Sequence, residues 1–334
     1  MMEAPMPFLP KSRVAAVQTA PVFLDTAATI DKAVALIAEA AGNGAQLVAF
    51  PEVFVSAYPY WNWLMTPIEG AAWHERLYRA AIAVDGPEVA LLCEAARDHG
   101  CTVVIGINER DPLSIGTLYN ANLIIGADGK LLGRHRKLVP TWAEKLTWAG
   151  GDGASIRCYD TPVGRLGTLA CGENTNTLAR FALLSAGETV HVANYIALPV
   201  APASYNMAEA IRIRATAHSF EGKIFTIVAC STVSEEIIAA MSAERPANRD
   251  LLSRPNSAFS GVIDPHGNLV GEALIDEEGI VYADIDLGAC IQPKLMHDIT
   301  GGYNRFDIFN LTVDRTARAS ALFVDAPDDS EGEP

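Results

Sequence analysis

Residues Gly167 to Arg180 read GTLACGENTNTLAR. The apolar run leading into them, Val163 to Ala170 with interruptions at Gly164, Arg165 and Gly167, has strand character. After Gly172 the residues Leu178, Phe181, Leu183 and Leu184 recur at spacings that suit a helix packed on a sheet. This predicts Cys171 at a strand-to-helix turn, with Glu173 and Asn174 opening the helix, where either could cap it or brace the turn. A thiol so placed lies near the positive end of a helix dipole, beside backbone N–H groups that can receive an oxyanion. Such a setting lowers a cysteine's pKa, and Cys171 is the candidate nucleophile. The plain alternative is a small hydrophobe closing an apolar strand, which is what most free cysteines are.

Company favours the nucleophile. QLVAFPEVF places Glu52 just past an apolar strand, and GRHRKLVPTWAEKLTWAGGDG carries Lys137 and Glu144 around a Pro-Thr turn. Glu, Lys, Glu and Cys in that order, each in its own string, resemble the carbon-nitrogen hydrolase superfamily from about Arg13 to about Thr312. Ala57 stands where a glycine is usual before Tyr-Pro, and Thr168 and Gly172 replace the small residue and the tryptophan or alanine often found there. KLVPTWAEKLTWAGGDG, CGENTNTLAR and HDITGGYNRFDIFNL (His297 to Leu311) resemble the nitrilase branch rather than the amidase or carbamoylase branches.

The resemblance implies an α/β fold, a four-layer α-β-β-α sandwich with the site at one end, spanning 12–317. Residues 1–11 would be an N-terminal extension and 318–334 an acidic, disordered tail. It also implies catalytic roles for Cys171, Glu52, Lys137 and Glu144, and pairing into a homodimer through outer helices that can extend into spirals. An ammonium near a thiolate favours ionised sulfur and steadies charge developing on the substrate, the role implied for Lys137. Glu144 would position and balance charge; a plain Lys-Glu ion pair is the alternative.

Composition sets bounds. A chain of 334 residues, half of them hydrophobic, can bury a large core as one two-sheet unit. No apolar run approaches the length of a membrane helix, and MMEAPMPFLPKSR does not read as a secretory signal, so cytoplasmic residence is expected. The six cysteines form no C-x-x-C pairs, which fits reduced thiols and disfavours a zinc site or disulfide framework. A net charge of −15 disfavours nucleic acid as a partner.

Along the chain, strands are predicted at Arg13 to Gln18, Leu47 to Phe50, Thr102 to Ile107, Val190 to Asn194, Lys223 to Cys230 and Ile280 to Ile285. Hairpins are predicted around Asp128-Gly129 and around Pro265 to Asn268, the latter returning through Leu269 to Glu272. Helices are predicted at Thr29 to Ala41, Trp73 to Ala83, Glu88 to His99 and Met207 to His218, with Glu235 to Arg254 irregular beyond a helix near Ile237 to Met241. Phe54, Tyr58, Tyr60, Trp61 and Trp63 follow Glu52 and are either pocket lining or core. Tyr58, Trp142, Tyr195 and His135 are the candidate substrate contacts; His135 is otherwise an orienting or purely structural histidine. Arg134 and Arg136 read as a solvated face.

The implied reaction is hydrolysis of a small organic nitrile to the acid and ammonia, with no metal or organic cofactor required. Cys171 would attack, Glu52 relay protons and activate water, and Lys137 stabilise charge. Amidase or N-carbamoyl hydrolase chemistry on the same residues is the nearest alternative. A non-catalytic oligomeric scaffold is the alternative of another class.

Overall fold

The structure, a computed structural model, describes residues 9–318 and 321. Most of the expected 1–11 extension and of the expected acidic tail lies outside the described residues. Lys11 already belongs to the first strand, and Arg318 donates its backbone N–H to Asp152.

In chain order the elements are β1 (Lys11–Gln18), α1 (Thr26–Gly42), β2 (Leu47–Ala49), α2 (Trp61–Leu64), α3 (Ala71–Ala80), α4 (Pro87–His99) and β3 (Thr102–Arg110). The hairpin β4 (Leu118–Ile125) and β5 (Leu131–Arg136) follows, then β6 (Tyr159–Thr161), β7 (Gly164–Ala170), α5 (Thr177–Ser185), β8 (Val190–Tyr195), α6 (Met207–Gly222) and β9 (Phe225–Cys230). The chain closes with α7 (Glu235–Ser242), α8 (Asn248–Leu252), β10 (Phe259–Ile263), β11 (Leu274–Ile275), β12 (Gly279–Asp286) and α9 (Ile291–His297).

Strand alternation builds the layers. Ala15 and Val17 of β1 face outward onto Ile30, Ala33 and Ile37 of α1 and Val89 and Leu92 of α4. Their neighbours Val14 and Ala16 face inward, with Leu47, Ala49 and Val104, onto Leu166, Val190, Val192 and Ile227 of a second sheet. That sheet's other face, with Ala193, Tyr195 and Val228, receives Ile211 and Ala215 of α6, while α5 packs Ala179, Ala182 and Leu183 beside Leu169. Each wholly buried Val, Ile or Leu in these layers stabilises by about 1.5–3 kcal/mol. The result is the expected α-β-β-α sandwich of two six-stranded sheets, ordered β12-β1-β2-β3-β4-β5 and β11-β10-β9-β8-β7-β6.

Within each sheet the parallel strands aim their C-terminal ends the same way: β1, β2 and β3 in the first, β7, β8 and β9 in the second. Strand β5, two antiparallel steps from β3, points with them. Glu52 follows β2, Lys137 follows β5 and Cys171 follows β7, so the sandwich edge on which ligand sites of α/β sheets collect is also where these side chains emerge.

Two local predictions need correction. The helix after Cys171 does not begin at Glu173: Cys171–Thr175 is a 3-10 turn, and α5 starts at Thr177, capped by Asn176, whose side chain accepts from the N–H groups of Leu178 and Ala179. The return Leu269 to Glu272 is no strand. Only a bridge at Leu269 and the bond from Val270 N–H to Val262 O tie it to β10, and pairing resumes at β11.

Candidate active site

Cys171 has φ +49°, left-handed for a residue that carries a side chain, and it is 7% exposed. Positive φ recurs near the other clustered residues, at Val53 (φ +41°) directly after Glu52 and at Trp142 (φ +45°) two residues before Glu144. Such backbone costs energy and persists where the surroundings over-determine it, which is typical of reactive sites. Ala57 also has φ +84°, which explains why a glycine suits that place. Gly106 on β3 lets the Glu52 loop approach: a Cβ there would lie 2.3 Å from the Val53 nitrogen and 2.4 Å from the Pro51 oxygen.

The structure brings the four sequence-predicted residues together. Ligating atoms of Glu52, Glu144 and Cys171 all lie within 4.8 Å of one another. The Lys137 ammonium donates to Glu52 Oε1 (2.8 Å) and to Glu144 Oε2 (2.7 Å), with all three side chains buried. Glu144 Oε2 also accepts from the Thr141 N–H (2.6 Å), and Tyr58 donates its hydroxyl to Oε1 (3.2 Å). Glu52 Oε1 accepts a second bond, from Asn120 Nδ2 (2.7 Å). Of the oxygens on the two carboxylates, only Glu52 Oε2 is buried without a partner among the described residues.

These contacts divide the labour between the carboxylates. Both oxygens of Glu144 are engaged, so it holds the ammonium and its own turn in place. Glu52 keeps one lone-pair face unspent, which is what a base requires.

The thiol's protonation state corrects the sequence prediction. Burial pushes Cys171 well above the ordinary thiol range, the Glu52 and Glu144 charges push the same way, and Lys137 only partly opposes them. A short 3-10 turn, rather than an α-helix N-terminus, stands at the sulfur. The resting Cys171 side chain is therefore a neutral thiol. Burial raises Glu52 as well, against the pull of Lys137. Burial alone would depress Lys137, but the charges of Glu52 and Glu144 outweigh it and raise its pKa well above the ordinary lysine range.

The candidate substrate contacts separate. Tyr58 lines, with Glu52, Val53, Tyr60 and Ile196, a crevice too narrow to hold a water molecule. Tyr195, at the end of β8, is buried with its hydroxyl unpaired among the described residues. His135 has both ring nitrogens taken, by Ser155 Oγ (3.0 Å) and Glu173 Oε2 (2.7 Å), and so offers none to a substrate. Trp142 is 76% exposed and packs edge-on against Trp63. Trp63 in turn donates to the Tyr58 hydroxyl (2.9 Å), so Trp142 stands outside the cluster. Phe54 and Trp61 are core, against Phe50 and Trp73. Arg134 and Arg136 do not merely face solvent: both pair with the buried Glu109, and Arg136 lies over the Tyr119 ring.

Sequence reasoning missed two contributors, Asn120 and Thr168, and left Glu173 open between capping and bracing. Asn120 orients Glu52; its signal was the pair of asparagines, Asn120 and Asn122, inside the mostly apolar β4. Glu173 braces the nucleophile turn by accepting from the N–H groups of Ala170 (3.0 Å) and Leu138 (2.8 Å). Thr168 accepts from Asn122 and donates to Val192 O, bridging the two sheets under Cys171.

Among the described residues, two sets of side chains have the ligand spacing of a metal site: the Glu52, Glu144 and Cys171 cluster, and Glu188, His191 and His218. In the first the Lys137 ammonium already supplies the cation. In the second Glu188 bridges His191 Nδ1 (2.6 Å) and His218 Nε2 (2.9 Å), so each of its oxygens already has a histidine partner. Burial, then the His191 charge, pushes His218 from 6.5 down to about 4. A histidine neutral in the fold contributes stability that is present above pH 6.5 and lost as pH falls toward 4. The expected loss over that window is about 3 kcal/mol. Urea denaturation at pH 7 and pH 4 checks this, and His218→Asn is expected to flatten the dependence.

A larger groove of about 1270 Å³ lies elsewhere, between α5 and residues 304–315, and none of the four clustered residues lines it. Among the described residues no helix is long and apolar enough to cross a membrane.

Comparison with known proteins bears directly on this cluster. Residues 13–294 match the family profile described as Carbon-nitrogen hydrolase. An aliphatic nitrilase of Rhodococcus rhodochrous is 41% identical over 90% of this chain and 81% of its own length. The chain belongs to the carbon-nitrogen hydrolase family, in its nitrilase branch. A nitrilase of Paraburkholderia phymatum is 36% identical over 91% of this chain and 87% of its own. In fold, the chain superposes on Saccharomyces cerevisiae Nit3, a member of branch 10 of the nitrilase superfamily, with TM-score 0.67 and 21% identity, covering 88% of this chain and 97% of the other. Family membership makes this nitrilase-branch protein a hydrolase of carbon-nitrogen bonds.

Proposed function

We propose that the chain hydrolyses an organic nitrile to the carboxylic acid and ammonia through a thioimidate and then an acyl-thioester on Cys171. The observation that supports this best is the unpaired Glu52 Oε2 within the Cys171, Glu144 and Lys137 cluster. Relatives named nitrilases at 36–41% identity favour a nitrile over an amide substrate.

The steps follow from the geometry. Cys171 Sγ attacks the nitrile carbon; the thiol proton passes to Glu52 and on to the substrate nitrogen as one C–N π bond breaks. Lys137 stabilises the negative charge that develops on the way. Water deprotonated by Glu52 adds to the thioimidate carbon, and the nitrogen gains protons and leaves as ammonia. A second water, activated the same way, cleaves the thioester, releases the acid and restores the thiol.

Glu52→Gln keeps the bonds to Asn120 and Lys137 through its amide oxygen but cannot take a proton. It is expected to lower kcat by about 10²–10⁴-fold with the fold retained, as read by ammonia release and thermal melting. A panel of nitriles scored for acid, ammonia and amide tests the reading as a whole. Acid and ammonia in equal amounts are expected; rapid amide cleavage with no nitrile turnover would transfer the site to the amidase reading.

Cytoplasmic residence is supported by six unpaired thiols, as expected of a reducing compartment. Pairing through the outer helices is supported by exposed Leu178 on α5 and exposed Ile213 and Phe220 on α6.

A further inference from the structure

Behind the nucleophile runs a buried polar array that the proposed reaction does not use. Asn174, in the 3-10 turn, donates from Nδ2 to Leu169 O and to Cys171 O, both at 3.0 Å. Carbonyl oxygens only accept, so the amide group is fixed and Oδ1 must face the other way. It meets His191 Nε2 at 2.8 Å. Because Oδ1 also only accepts, Nε2 carries a proton. The opposite nitrogen, Nδ1, faces Glu188 Oε1 at 2.6 Å. Burial alone would raise Glu188, but its two histidine partners hold it down, to about 2, so this oxygen accepts too. His191 therefore ties the Asn174 amide to the Glu188 carboxylate. His218 donates to the second Glu188 oxygen (2.9 Å), and its own Nδ1 is buried without a partner among the described residues.

The fold makes room for this array at a definite place. A Cβ on Gly167 would lie 2.0 Å from Glu188 Oε1, so the first residue of GTLAC is the notch that admits the carboxylate. Glu188, His191 and Asn174 are each at most 2% exposed. The array thus begins in the turn before β8, crosses that strand and ends on the carbonyl of the strained Cys171.

We propose that Asn174, oriented by the Glu188 and His191 pair, is a positioning residue that pins the left-handed backbone of Cys171 and so aims its sulfur at Glu52 and the substrate. This rests on Cys171 being the reacting atom. With the Asn174 amide gone, the Cys171 and Leu169 carbonyls lose their common donor and the turn can relax toward ordinary backbone. Misplacement of a nucleophile by an ångström costs up to about 10²-fold in rate. Substrate affinity, set by groups on other elements, does not depend on this donor.

The test uses the full chain with two readouts: kcat and KM on the best nitrile, and the rate of Cys171 alkylation by iodoacetamide followed by peptide mapping. Asn174→Ala and His191→Leu are expected to lower kcat about 10–100-fold at nearly unchanged KM and to change alkylation of Cys171. His191→Gln, which can still present an N–H to Asn174, is expected to recover most of both. Variants that keep the normal kcat and alkylation rate, whatever happens to their melting temperature, would overturn the proposal. Should Asn174→Ala not fold, the His191→Leu and His191→Gln pair decides, and equal kcat in the two would also overturn it. If Cys171→Ala keeps nitrile turnover, the catalytic reading of Cys171 fails first and this inference with it.

Discussion

Cys171→Ala is expected to fold normally and to lose nitrile turnover by at least about 10⁴-fold. A nitrile carbon is a weak electrophile, and what overcomes this in the proposed reaction is a covalent bond to sulfur. Without Sγ the remaining groups can still bind substrate and polarise water, but no thioimidate forms. The fold should survive because the side chain removed is neutral, small and not part of the Lys137 ion pairs. The cavity left is about the size of one heavy atom, costing roughly 1 kcal/mol. Alanine can also keep the left-handed φ as well as cysteine does. Ammonia release measured over hours, beside a thermal melt, separates the two quantities. Ammonia at more than about a thousandth of the normal rate would remove sulfur from the mechanism, because nothing else in the cluster offers a comparable nucleophile. Cys171→Ser sharpens the point: a hydroxyl beside Glu52 keeps the shape, yet a carboxylate cannot deprotonate it effectively, so it should fail almost as completely.

Much of the fold could be read from strand alternation and turn residues. Val14 to Val17, Leu47 to Ala49 and Val190 to Tyr195 lie where an apolar strand pattern puts them, because both faces of each sheet are covered and every residue there must be apolar or paired. The order Glu52, Lys137, Glu144 and Cys171 named a cluster that the structure assembles from the ends of three strands and one 3-10 turn. What sequence could not deliver was local competition. CGENTNT contains two asparagines able to cap a helix; Asn174 is consumed by the carbonyls of Leu169 and Cys171, which leaves Asn176 to cap α5. The thiol's protonation was hidden for a related reason. A strand-to-helix turn argues for a depressed pKa, whereas burial and two carboxylates from distant segments argue against it, and only the folded convergence decides which wins. His135 was legible as a buried histidine but not as the partner of Glu173, since nothing in spacing tells a ring beside the substrate from one holding the turn beneath it.

Lys137→Met is expected to cost both activity and about 3–5 kcal/mol of stability, the usual consequence of removing one partner from a buried ionic group. The ammonium sits wholly buried between Glu52 Oε1 and Glu144 Oε2. Methionine fills the same volume but leaves two buried carboxylates facing each other without a cation. The protein's cheapest response is to bind a proton on one of them. The folded variant then holds more protons than the unfolded chain once pH exceeds the ordinary glutamate value of 4.5, so stability falls as pH rises from there. Urea denaturation at pH 5 and pH 8 should therefore show a larger loss at pH 8, the reverse of the acid loss expected through His218. Adding Glu144→Gln to Lys137→Met removes the facing charge and should restore most of the stability at pH 8. It should not restore turnover, because the charge that developing nitrogen or oxygen anions need would still be absent. Lys137→Met protein with normal kcat would show instead that the ammonium serves the fold alone and that the charge of the transition state is met elsewhere.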